Sequence, residues 1–177
     1  DGQEIALTLF NAENDIATAN TIARQVSDGR FRMVITMSTP SMQTMANANR
    51  DGRAQHIFGI VTDPAGAGVG IDRADPLKHP AHLAGIGTFQ PVEKTFRLLR
   101  EVNPALKRVG TVWCPAEACS TACLEKARRI CAELNIELVE TTVNNSSGMG
   151  EAAQTLTGKG IQTLWVGGDN TMEVAID

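Results

Sequence analysis

The segment 56–64 reads HIFGIVTDP, a short apolar run that ends in a small polar cluster. The same change recurs at 38–41, 144–147 and 169–171, where a helical pattern begins after the polar residues. Strands that alternate with helices predict an α/β fold with parallel sheets. In such a sheet all strand-to-helix junctions lie at one edge, which is where these folds bind ligands. The recurring junction therefore predicts a small-molecule site at that edge.

The strand–helix rhythm occurs twice, on either side of a segment rich in glycine and proline. The apolar runs predict strands at 5–10, 31–37, 56–61, 108–113, 136–143 and 161–166, and helical spacing predicts helices at 11–27, from 39, and at 90–101, 118–134 and 150–156. Periodicity is lost in between. We therefore expect an incomplete N-terminal lobe at 1–61, an interdomain crossover with binding loops at 62–90, and an incomplete C-terminal lobe at 91–177.

Composition narrows the class of protein. The chain has 177 residues, 42% hydrophobic and 20% charged, with a formal charge of −4. A nucleic-acid partner is not expected, because binding one needs a basic face and aromatic residues are only 4%. No apolar run approaches the length of a membrane span, and no secretion signal is visible at the start.

Catalytic and metal motifs are weak. The glycines at 66, 68 and 70 are followed by prolines instead of a helix, so a nucleotide loop is disfavoured. No nucleophile–base set can be assigned from spacing. The four cysteines, Cys114, Cys119, Cys123 and Cys131, contain no CxxC pair. Cys119 and Cys123 fall on one helical stripe, and Cys131 lies beside it. Buried thiols are therefore favoured over a metal site, and a disulfide between Cys114 and Cys119 is the alternative in an oxidising compartment.

The polar residues at the strand ends have both a structural and a ligand-binding interpretation. Ser38, Thr39 and Ser41 suit a helix cap, and the same hydroxyls and free amides suit a ligand carboxylate. Asp63 suits a turn before proline, or a cleft. Asp169 suits a helix cap, which Asn170 could supply instead, and as a free carboxylate it could balance an ammonium group.

Five stretches resemble a known family. They are MSTPSMQ at 37–43, FGIVTDPAGAG at 58–68, NPALKRVG at 103–110, NNSS at 144–147 and GDNT at 168–171. Their order and content are similar to the periplasmic substrate-binding proteins of ABC importers related to the tryptophan-importer binding component. The Thr-Asp-Pro stretch is the most specific of them. The chain departs from the family at Cys114 and Cys119, where the family typically carries asparagine. If those asparagines bind ligand, hydrogen-bonding capacity is lost here, and the ligand would differ from the family's usual one.

The resemblance implies a type I periplasmic-binding-protein fold, in which two Rossmann-like parallel-sheet domains close on a ligand. The chain would be a fragment that lacks both ends of that fold. The ligand would be a small polar molecule such as an amino acid, aromatic ones included, bound without catalysis, cofactor or metal. The partner would be an ABC permease, and the location periplasmic or extracytoplasmic, with a lipid anchor as an option in the full-length protein.

The expected ligand-binding residues combine these two lines of reasoning. They are Ser38, Thr39, Ser41, Thr62, Asp63, Asn145, Ser146, Asp169 and Asn170. Two other functions stay open from the sequence. One is a ligand-binding sensory domain of the same fold, and the other is a nucleotide- or sugar-using α/β enzyme.

Overall fold

The computed structural model describes residues 5–175 and contains two separate three-stranded parallel sheets. The first sheet has the order β1-β2-β3, with β1 at Met33–Met37, β2 at Gln55–Val61 and β3 at Leu83–Gly87. Helices α1 at Ile16–Val26 and α2 at Thr39–Ala48 pack together beside it. The predicted α/β class with parallel sheets is confirmed.

The second sheet has the order β5-β4-β6. Its strands are β4 at Arg108–Trp113, β5 at Glu137–Thr142 and β6 at Thr163–Leu164, and its helices are α3 at Val92–Val102, α4 at Ala118–Glu133 and α5 at Met149–Gly158. A 3₁₀ turn at Ser146–Gly148 precedes α5, and the short helix α6 covers Asn170–Glu173. The central strand β4 is buried along most of its length, as expected of a strand covered on both faces.

Strand β3 lies inside the segment 62–90, which we expected to hold only irregular loops. That expectation is wrong for Leu83–Gly87, which pairs in parallel with β2. Its sequence LAGIG carries two glycines and little β-branched character, so the strand signal is weak. Glycine is needed at position 85, because a Cβ there would lie 2.2 Å from the carbonyl oxygen of Phe58. The division into lobes at 61 and 90 stays a prediction.

The expected strand at 5–10 is also wrong. These residues join no sheet, and Ile5, Leu7 and Leu9 are more than 70% exposed. A β-strand is defined by hydrogen bonds to a neighbour, and the described residues supply no neighbour there. The helix that follows begins at Ile16 instead of 11, because Asp15 caps it by accepting a hydrogen bond from the Thr18 amide at 2.6 Å.

One hydrophobic core lies between α3, α4 and the second sheet. It centres on Phe96, which is fully buried with its ring centroid 5.2 Å from that of Trp165. The cysteines of α4 belong to this core or border it, and all four cysteines of the chain are buried and unpaired. The expectation of buried thiols is therefore confirmed, and the structure contains no disulfide between Cys114 and Cys119.

His56 on β2 is a buried ionisable group that makes folding depend on pH. It is fully buried, and its Nε2 lies 2.8 Å from the Thr36 hydroxyl, while its Nδ1 has no partner among the described residues. Burial, helped by the positive charge of His82, lowers the pKa of His56 from 6.5 to about 4. The folded protein therefore holds this histidine neutral.

We expect acid to destabilise the protein through His56. Between pH 6.5 and 4 the unfolded chain binds a proton that the folded protein does not, so stability falls as the pH falls through this window. The full loss is about 3 kcal/mol, because a tenfold change in proton affinity corresponds to about 1.4 kcal/mol. Urea unfolding of the wild type and His56→Gln at about pH 7 and about pH 4.5 measures it. Equal acid sensitivity in both proteins would contradict the prediction.

Candidate functional site

The carboxyl ends of β1 and β2 bring several of the predicted residues together. Ser38 caps α2 by accepting a hydrogen bond from the Ser41 amide at 3.3 Å, and its hydroxyl lies 2.8 Å from that of Ser41. Thr39 is buried, and its hydroxyl accepts a hydrogen bond from the Thr62 amide at 3.4 Å. The start of α2 and the loop after β2 therefore form one connected surface.

Thr62 also approaches the other half of the molecule. A Cβ built on Gly168 would lie 3.4 Å from the Thr62 hydroxyl and 3.4 Å from the Gln90 side-chain nitrogen. The loop after β2 and the loop before α6 thus come within near contact, as expected for junctions at the carboxyl edges of two facing sheets. Thr62 therefore lies near the loop that carries Asp169, which directly follows Gly168.

Asp63 is held by its own loop. Its Oδ1 accepts a hydrogen bond from the Gly66 amide at 3.0 Å, and its Oδ2 lies 2.6 Å from Nη2 of Arg73. The Asp63 side chain is 18% exposed and that of Arg73 is 69% exposed. The turn interpretation of Asp63 therefore describes the structure, and the ligand role of Asp63 stays a prediction.

Asp169 is almost completely buried, at 1% exposure. Its Oδ2 accepts hydrogen bonds from the Cys114 amide at 2.7 Å and the Ser120 hydroxyl at 2.5 Å, and its Oδ1 caps α6 through the Met172 amide at 3.0 Å. Both carboxylate oxygens are therefore engaged inside the protein. The proposed contact with a ligand ammonium remains a prediction, and Asp169 in this structure positions the loop that carries it.

Glu117 holds the same loop from the other side. Its carboxylate accepts hydrogen bonds from the amides and side chains of Asn170 and Thr171, at 2.6 to 2.9 Å. Burial alone would raise the pKa of Glu117, but these hydrogen bonds together outweigh it and lower the pKa. Glu117 is therefore a charged anchor for α6, and Asn170 is turned towards it.

Asn145 and Ser146 lie apart from these contacts. Both are exposed, and Asn145 accepts a hydrogen bond from the Ser147 hydroxyl at 2.6 Å within its own turn. The structure does not place them against the other predicted residues, and their ligand role stays a prediction.

A groove of about 420 Å³ lies between the two halves. Asp63, Gly66 and Arg73 line one wall, and residues from Pro115 to Glu125, at the start of α4, line the other. The first turn of α4 has no side-chain cap. Uncapped amides at a helix start attract anions, so this wall suits a carboxylate.

Two cysteines of α4, Cys119 and Cys131, have thiols of low reactivity. Burial, aided by the negative charge of Glu117, raises the pKa of the Cys119 thiol to about 12, and burial raises the pKa of Cys131 to about 12. Thiols held in the protonated form are poor nucleophiles and poor metal ligands. Within residues 5–175, no cluster of three or more cysteine, histidine or acidic side chains is placed to hold a metal ion.

Sequence reasoning missed Glu117, Ser120 and Arg73. The segment 114–120 is itself a polar junction between a strand and a helix, so the rule that found the other clusters could have found Glu117 and Ser120. Arg73 lies in the irregular loop segment, where no periodic signal exists. Among the described residues, no helix is long and apolar enough to cross a membrane.

Two comparisons with solved structures support this architecture. The chain matches a conserved domain protein from Vibrio cholerae with a TM-score of 0.87 and 28% identity, over 99% of this chain and 57% of that one. It matches the ABC domain in complex with L-Trp from Streptococcus pneumoniae with a TM-score of 0.86 and 22% identity, over 95% of this chain and 56% of that one. The expected type I periplasmic-binding-protein architecture is confirmed.

Sequence comparisons identify the family. A curated relative, the tyrosine-binding protein of Clostridioides difficile (strain R20291), is 30% identical over 171 residues, which are 96% of this chain and 48% of the relative. The chain thus spans about half the length of these relatives. The family model described as ABC transporter substrate binding protein matches residues 1–177. Proteins of this family are substrate-binding proteins, which are non-enzymatic. The chain belongs to the family of ABC transporter substrate-binding proteins.

Proposed function

We propose that the full protein is the extracytoplasmic solute-binding component of an ABC importer, which binds an amino acid in the groove between its two sheets and delivers it to a membrane permease. The groove itself is the observation that carries this proposal. It lies at the carboxyl edges of both sheets, which is where parallel α/β folds bind ligands. An identity of 30% to a tyrosine-binding protein favours L-tyrosine as the first ligand to test.

The groove contains the chemistry that an amino acid needs. An α-amino acid carries a carboxylate and an ammonium group, so its site must offer donors and negative charge close together. The uncapped start of α4 offers donors on one wall, and Asp63 and Glu125 offer negative charge. Ligand binding from both walls would favour the closed arrangement, because only that arrangement contacts the ligand on both sides.

The ligand can be tested directly on the full-length protein. Mass spectrometry of small molecules released by denaturation should identify an amino acid, and calorimetric titration with L-tyrosine should show binding. Titration with an unrelated sugar serves as the control. Release of a sugar or nucleotide, with no heat on addition of amino acids, would reject the proposal.

Thr39 offers a sharper test because Thr44 on the same helix is a matched control. The sequence predicts that the Thr39 hydroxyl binds the ligand carboxylate. On that prediction, Thr39→Val should weaken L-tyrosine binding about tenfold or more, since a lost hydrogen bond to a charged group costs about 1.5–3 kcal/mol. Thr44 donates its hydroxyl hydrogen bond within α2, to the carbonyls of Pro40 and Ser41, so Thr44→Val should leave the affinity unchanged. Calorimetric titration measures the L-tyrosine affinity of both variants. Equal affinities would show that Thr39 does not contact the ligand.

A further inference from the structure

Three charged side chains line the groove between the two halves. Arg73 and Asp63 lie on one wall and Glu125 lies on the other, in the second turn of α4. Arg73 and Glu125 are far apart along the chain, so only the tertiary fold brings them to one groove. The groove therefore carries one positive and two negative side chains.

The Asp63 wall holds Arg73 in a defined place. Arg73 Nη2 lies 2.6 Å from Asp63 Oδ2, and Asp63 is itself fixed by the Gly66 amide. Asp72 adds support, because its Oδ1 accepts hydrogen bonds from the amides of Ala74 at 2.7 Å and Asp75 at 3.0 Å. A guanidinium has five N–H donors, and among the described contacts Arg73 uses only Nη2. The remaining donors are available to a second carboxylate.

The Glu125 wall supplies that carboxylate. Across residues 5–175, Glu125 lies within ion-pair distance of no basic side chain, although it lines the same groove as Arg73. Asp63 chiefly, and Glu125 to a lesser extent, raise the pKa of Arg73, which agrees with a negative field from both walls. Both side chains are exposed and line the same groove, so an ion pair between them requires them to turn towards each other.

We propose that Arg73 is a latch across the groove, held by Asp63 and engaging Glu125 when the two halves close on the ligand. The latch rests on the proposed ligand-binding function and sets how long the closed state lasts. It joins the two walls at a place where the Arg73 side chain is still mostly exposed. Its contribution should therefore be modest and screened by salt.

The first test measures ligand release from the full-length protein with L-tyrosine as the probe. Stopped-flow dissociation is compared for the wild type, Arg73→Gln, Glu125→Gln and the double variant. We expect each single change to speed release about threefold to tenfold, and the double variant to release no faster than the singles. Raising the salt concentration should speed the wild type towards the variants. Arg128 lies elsewhere on α4 and pairs with Glu140 of β5, so Arg128→Gln should leave release unchanged.

One other role for Arg73 is a direct contact with the ligand carboxylate. L-tyrosinamide lacks that carboxylate, so the direct contact predicts that Arg73→Gln has no effect on tyrosinamide release. The latch predicts the same acceleration with tyrosinamide as with tyrosine. Independent, multiplicative effects of Arg73→Gln and Glu125→Gln would also overturn the latch.

The second test measures the contact between the two walls directly, with and without L-tyrosine. In Arg73→Lys, a carbodiimide can join the substituted lysine to a carboxylate within reach, and peptide mass spectrometry locates the bond. A crosslink to Asp63 is the internal control, and a crosslink to Glu125 that increases with L-tyrosine is the expected result. If L-tyrosine does not bind, the ligand proposal fails while a crosslink to Glu125 still supports the latch. A crosslink to Asp63 without one to Glu125 overturns it.

Discussion

Replacement of Asp169 by alanine is expected to lower the free energy of unfolding by about 3 kcal/mol, which is a large part of the stability of an ordinary domain. Asp169 is 1% exposed, and its carboxylate accepts hydrogen bonds from the Cys114 amide, the Ser120 hydroxyl and the Met172 amide. Alanine leaves these donors without their partner inside the protein. Unpaired buried donors cost about 1–3 kcal/mol each.

Urea denaturation of the wild type and Asp169→Ala measures this loss. Arg128→Ala is the control, because its partly exposed ion pair with Glu140 is worth about 1 kcal/mol or less. A free energy of unfolding for Asp169→Ala within about 1 kcal/mol of the wild type would show that the hydrogen-bond network is not needed for stability.

The same variant also tests the ligand role of Asp169 that the sequence predicts. Loss of a counter-charge for a ligand ammonium typically costs about 2–5 kcal/mol, or roughly 30-fold to several-thousand-fold in affinity. Ser120→Ala separates this role from support of the loop, because Ser120 shares the network with Asp169 but carries no charge. A much larger affinity loss in Asp169→Ala than in Ser120→Ala would favour the ammonium contact, and similar losses would favour support alone.

Replacement of Phe96 by alanine should also be strongly destabilising. Phe96 is fully buried against Trp165 in the core between α3 and α4. Removing a buried aromatic ring typically costs about 3–5 kcal/mol, because apolar contacts are lost and a cavity remains. Urea or thermal unfolding followed by circular dichroism measures the effect.

Leu98 on the same helix is a matched control for Phe96. It is 58% exposed, so Leu98→Ala should change the free energy of unfolding by about 0.5 kcal/mol or less. Similar losses in the two variants would mean that α3 is not oriented as the structure shows.

Periodicity predicted most helices and strands correctly, because amphipathic spacing in α3 and α4 and apolar runs in β1, β2 and β4 are local properties of the chain. The errors have physical reasons. The run 5–10 has the composition of a strand but no neighbour among the described residues to pair with, and β6 extends over only Thr163–Leu164 of the expected 161–166. Strand β3 was missed because its pairing with β2, not its own side chains, makes it a strand.

Some features of the candidate site could also be predicted from the sequence, and others could not. The polar junctions that locate it could be read from the chain, since each follows directly on an apolar run. The roles of the individual side chains could not be read from the chain. Asp169 faces inward because Cys114 and Ser120 donate to it, and Asn170 turns to Glu117, 53 residues earlier.

By itself, the sequence determined the α/β class, the two-part rhythm and the family, because these depend on local periodicity and on short stretches such as 58–68. The tertiary structure alone decided which carboxylates are buried and which face the groove. It also decided that Arg73 lies against Asp63 and opposite Glu125. The reason is that burial and hydrogen bonding depend on partners distant in sequence, and only the packing of the two sheets brings those partners together.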